Sequence, residues 1–68
     1  MRARMVDRGR LMELAAGDGR PYQTQSELMG LQRHALADYA AGSRDPSTAS
    51  LVAMADYYGV TTDYILGR

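Results

Sequence analysis

The stretch 31-LQRHALADYAAGSRDPS-47 decides how this chain is read. Three polar side chains, Gln32, Arg33 and His34, open a segment that then turns apolar. Leu31, Ala35, Leu36 and Tyr39 fall on one side of a helix, and Arg33, His34, Ala37 and Asp38 lie off that stripe. Gly42 closes the segment and a turn around Pro46 follows. Two readings are open: a surface helix with a solvated polar end, or a helix that carries its first polar residues into a partner.

Outward from this stretch the pattern stays helical. Upstream, "QTQSELMG" (23–30) predicts a short helix, with Thr24 as cap, Glu27 completing a capping box, and Gly30 as the stop. Before it, "RGRLMELAAGDG" (8–19) predicts a first helix through Leu11, Leu14 and Ala15, with Val6 and Met12 as further apolar positions. The breaker cluster from Gly17 to Pro21 ends it, and the first four residues are expected to fray. Downstream, Ser47 caps a fourth helix whose Leu51, Met54, Ala55 and Tyr58 follow the i, i+3, i+4, i+7 pattern. Tyr57 lies off that stripe and is expected to be exposed. Gly59 ends this helix, and Thr61 or Thr62 caps a last short one, in which Ile65 and Leu66 point inward. No run of alternating β-branched residues suggests a strand. The prediction is one all-α domain of five helices.

Composition limits the function. A 68-residue chain makes one small domain, and burial in such a core leaves a margin of about 3–5 kcal/mol. No Cys and a single His exclude a disulfide staple and a zinc site, so no metal is expected. The lack of Cys, of a long apolar run and of a signal-like segment fits a cytoplasmic protein with no membrane partner. The formal charge is zero, which argues against a generic nucleic-acid coat. All eight cations are Arg: residues 1–44 hold seven against five acids, and residues 45–68 hold one against three. Arg grips phosphate and guanine with a fixed fork that Lys lacks, although an Arg-rich codon bias gives the same count. His34 and Asp38 are i, i+4, but no nucleophile or substrate loop accompanies them, so neither catalysis nor a cofactor is expected.

A short helix, a glycine, an apolar residue and a second helix make the helix-turn-helix layout, here about residues 22–41. In that layout the second helix enters the DNA major groove with its N-terminal residues at the base edges. Arg can pair with guanine O6 and N7, Gln with adenine N6 and N7, and His can donate to an acceptor.

From Gly30 to Arg68 the chain resembles the Cro/repressor-type, or XRE-like, helix-turn-helix family. Members run turn glycine, apolar residue, recognition helix, glycine, "R-x-P-S", then "A-D-x-x-G-V" and "D-Y-L-L-G". This chain has Gly30, Leu31, Leu36, Tyr39 and Gly42, then "RDPS" (44–47), "ADYYGV" (55–60) and "DYILG" (63–67), without a gap. Continued backwards, the ungapped match puts Ser26 on a small position, Met29 on an apolar one, Gln25 on a normally apolar one and Leu28 on an exposed one. A second register, matching "TQSEL" to "TQ-x-x-L", lacks three residues before the turn, and the tight turn favours the first. Ala40 stands where many members carry Glu, so a polar contact to the first helix is expected to be missing.

The resemblance implies a five-helix, lambda-repressor-like domain that binds double-stranded DNA. Gln32, Arg33, His34, Ala37 and Asp38 would face the groove, and Ser43 and Arg44 the backbone. Tyr22, Gln23 or Gln25 would take the phosphate-contacting place at the start of the second helix. Asp38 would accept from cytosine N4 or hold Arg33 or His34. A transcriptional repressor acting as a homodimer is the expected function, with Tyr64 or Ile65 as dimer contacts. The rivals are a protein-interaction module or antitoxin of the same fold, and the DNA-binding part of a longer regulator. A basic face on the third helix marks DNA binding, and a neutral face with exposed Tyr57, Ile65 and Leu66 marks a protein partner.

Overall fold

The computed structural model describes residues 6–68, so the expected fraying of the first four residues lies outside the described residues. Five helices follow one another: α1 Arg8–Asp18, α2 Tyr22–Leu28, α3 Ala35–Ala41, α4 Thr48–Tyr58 and α5 Thr62–Leu66. The described residues contain no strand. No helix among them is long and apolar enough to cross a membrane. The helices α1 and α2 both pack on α3, and α5 bridges α1 and α4. Leu11, Leu36, Met54 and Ile65 are wholly buried at the centre, with Val6, Tyr39 and Leu51 around them.

Local chemistry places most helix ends. Asp7 accepts from the Arg10 amide and starts α1, which runs through Gly17 and stops on Gly19. Ser47 accepts from the Ser50 amide and Thr61 from the Tyr64 amide, as their spacing predicts. After α2, the Gly30 amide bonds to Glu27 O and the Leu31 amide to Ser26 O. These two bonds require the left-handed φ of 77° that Gly30 adopts.

Four expectations change. Thr24 lies inside α2 and caps nothing, because Pro21 already holds the N-cap position and its carbonyl accepts from the Gln25 amide at 3.0 Å. Met12 is exposed, whereas Val6 joins the core. Ile65 is fully buried and is no candidate for a dimer contact. The five-residue α5 has a single inward face, and Ile65 fills it while Tyr64 points out under the Arg10 guanidinium at 4.6 Å. Finally, Ala40 does carry a polar contact to α1, since Arg8 Nε donates to its backbone carbonyl at 3.1 Å.

The ungapped register of α2 holds. Ser26 is buried at the turn, Leu28 is 57% exposed, and Met29 packs against the core. Gln25, on the normally apolar position, is wholly buried. Its Nε2 donates to Ala15 O at 3.0 Å and to Arg20 O at 2.7 Å, and its Oε1 accepts from the Tyr58 hydroxyl. One amide thus ties α2 to α1, to the α1–α2 loop and to α4. No buried side-chain polar atom among the described residues lacks a partner.

Tyr58 gives this hub a pH signature. Burial, and then the negative charge of Asp18, push its phenol well above the ordinary tyrosine value. The folded state therefore favours neutral Tyr58, while the unfolded chain loses that proton near pH ~10. The resulting stability is complete below that pH and declines as pH rises above it. With no Lys and no Cys in the chain, tyrosines are the only side chains that titrate near there. Urea midpoints measured between about pH 9 and 11 should fall more steeply for the wild type than for Tyr58→Phe. Equal slopes would contradict this assignment.

Candidate nucleic-acid interface

The candidate surface is built where α2 hands over to α3. In an uninterrupted helix beginning at Leu31, the Leu36 amide would bond to Gln32 O. Here Ser26 Oγ accepts from the Leu36 amide at 3.1 Å, and Gln32 O accepts from the Ala35 amide at 3.0 Å instead. The first helical bond of α3 runs from the Asp38 amide to His34 O. Gln32 and Arg33 therefore precede the helix and His34 holds its N-cap position, which corrects the expectation that all three form its first turn. They stand on the turn at the mouth of α3, and all three are exposed. Their side chains have no hydrogen-bond or ionic partner among the described residues.

The other predicted residues divide. Ala37 is exposed on α3, and Ser43 is exposed in the loop behind it. Asp38 holds neither Arg33 nor His34; its Oδ2 accepts from Arg44 Nε at 3.1 Å. The guanidinium of Arg44 also lies over the Tyr39 ring, 5.3 Å from its centroid. Gln23 is exposed and Tyr22 is half-buried against the core. Gln25 does not face the surface at all, and its polar atoms are spent inside the domain, so it leaves the set of phosphate candidates.

A cleft of 380 Å³ lies beside this surface, lined by Gln32, Ala35, Tyr39, Arg44 and Ser50 among others. Its polar lining was not legible in the sequence. Tyr39 reads as core by spacing and is 5% exposed, yet its hydroxyl donates to Ser50 Oγ at 3.3 Å. The left-handed Gly42 turns the chain back so that Arg44 meets Asp38, six residues earlier.

Of the two features expected of a protein-docking face, the exposed apolar residues are not found and the neutral charge is. Ile65 is buried and Leu66 packs partly against the core. Tyr57 is half-buried, and its hydroxyl donates to Asp18 and accepts from Arg20. The polar surface itself is close to neutral, with Arg33 and Arg44 set against Asp38 and Asp45.

Over 59 residues, 87% of its length, the chain is 36% identical to the HTH-type transcriptional regulator AnsR of Bacillus subtilis (strain 168) and covers 51% of that protein. Over the same length it is 32% identical to the HTH-type transcriptional regulator ImmR of that organism, and covers 46% of it. The chain thus spans about half the length of the curated relatives it matches. No family model matches it, and no solved structure does.

Proposed function

We propose that this chain, a helix-turn-helix domain of the Cro/repressor type, binds double-stranded DNA in a transcriptional regulator. The observation that carries the reading is the placement of Gln32, Arg33 and His34. They are exposed and have no partner among the described residues, on a turn locked to α2 by Ser26, at the N-terminal end of the second helix of the pair. That is where groove-reading side chains stand in such domains. The likeness to two transcriptional regulators supports it. In this reading α3 docks in the major groove, and Ala37 faces the bases with the trio. Ser43, Arg44, Gln23 and Tyr22 meet the sugar-phosphate backbone. Occlusion of promoter DNA by a homodimer makes the regulator a repressor.

The near-neutral surface has a quantitative consequence. Non-specific affinity scales with the number of phosphates that cations neutralise. With few cations available, specificity must come from base contacts and from paired half-sites. The test is a titration of a mixed-sequence duplex against salt. Arg44→Ala should weaken binding to all sequences alike and flatten the slope of log K on log salt by about one unit. Wild-type protein that binds no duplex at low salt would sink the proposal. Loss of preference at a single base pair would move Arg44 from the backbone to a base.

A further inference from the structure

We propose that Asp38 is a positioning residue: it holds Arg44 ready for a DNA phosphate and does not itself read a base. The inference rests on the DNA-binding reading above and adds a role that reading does not assign. Arg44 lies in a loop, where a long side chain would sample many rotamers and lose that freedom on binding. Two contacts restrict it in advance. Asp38 Oδ2 accepts from its Nε at 3.1 Å, and the Tyr39 ring lies beneath the guanidinium. Tyr39 is itself fixed, being buried and bonded through its hydroxyl to Ser50.

The way Arg44 is held matters. Asp38 engages only Nε, so the Nη1–Nη2 edge keeps its donors and has no partner among the described residues. That edge is the fork that pairs with two phosphate oxygens. A carboxylate bonded to the Nη atoms would have occupied the fork. Asp38 grips the guanidinium from its rear edge and leaves the working edge free. An anionic side chain on a DNA-facing helix is otherwise a cost, because it repels phosphate.

Two substitutions separate holding from repulsion. Asp38→Asn and Asp38→Ala both remove the charge, but only Asn keeps an oxygen that can accept from Arg44 Nε. On a mixed-sequence duplex, Asp38→Ala should bind about fivefold more weakly than Asp38→Asn. In an Arg44→Ala background the two should bind alike. Thermal melts of each variant establish that it is folded, and the dynamics of the Arg44 Nε–H group by NMR give a readout without DNA: order lost in Asp38→Ala and kept in Asp38→Asn. Equal binding of the two variants overturns the proposal, as does a difference that persists without Arg44. So does loss of preference at one base pair of a selected duplex in Asp38→Ala, which would make Asp38 a base reader. If the wild type binds no duplex, the DNA reading fails as a whole, whatever the Arg44 signal shows.

Discussion

Gln25→Ala is expected to destabilise the domain by about 3–5 kcal/mol, which combines a buried void with the loss of three internal hydrogen bonds. That is comparable with the whole margin of about 3–5 kcal/mol expected for a core of this size, so the variant should be largely unfolded. Gln25 is inaccessible to solvent and joins Ala15 O, Arg20 O and the Tyr58 hydroxyl. Ala15 O keeps a second donor, the Gly19 amide at 3.3 Å, while the part-buried Arg20 O and Tyr58 hydroxyl lose the partner Gln25 gives them. Gln25→Met isolates the polar part: it nearly preserves volume and should still cost about 1–3 kcal/mol. Tyr58→Phe strands only Gln25 Oε1 and should cost about 1–2 kcal/mol. The Gln25→Met/Tyr58→Phe double variant should lose less than the sum, because both partners of one bond are then gone. Urea denaturation reads all four. A wild-type midpoint for Gln25→Ala would mean that α2 is held some other way.

Arg33→Ala is expected to abolish base preference at one position of each half-site, worth about 1–3 kcal/mol of discrimination, and to leave the other positions standing. Arg33 is exposed on the turn that leads into α3, and no partner among the described residues holds it back. Its fork matches guanine O6 and N7, whereas Lys presents one compact charge, so Arg33→Lys should lose the preference although the charge is kept. A panel of single-base operator variants measures this directly. A uniform loss across the panel would make Arg33 a phosphate clamp and pass base reading to Gln32 and His34.

The parts of the fold that were legible in the sequence are those set by near neighbours. Ser47 and Thr61 reach amides three residues on, and Gly30, Gly42 and Gly59 supply the left-handed stops. The parts that were not legible depend on distant partners. The start of α3 is set by the Ser26 hydroxyl, which lies ten residues before the amide it receives. Gln25 looks misplaced on an apolar position until Tyr58, 33 residues away, is seen to donate to it. Pro21 was read only as part of the breaker that ends α1, yet its preset φ also lets it begin α2, three residues before Thr24. Ile65 was legible as an inward residue of the last helix, and its complete burial rules out the dimer contact also expected of it. At the candidate surface, residue types and exposure were legible for Gln32, Arg33 and His34. The Asp38–Arg44 pair was hidden because the chain reverses at Gly42 between them.

The most direct test of the central claim is selection of bound duplexes from a random library, with the mass of the complex measured beside it. The account predicts convergence on a short sequence repeated with two-fold symmetry, its half-sites about 34 Å or a multiple of that apart, bound by two copies of the chain. Recovered duplexes no more alike than the starting library would contradict it, and would return this surface to the solvated helix end from which the reading began.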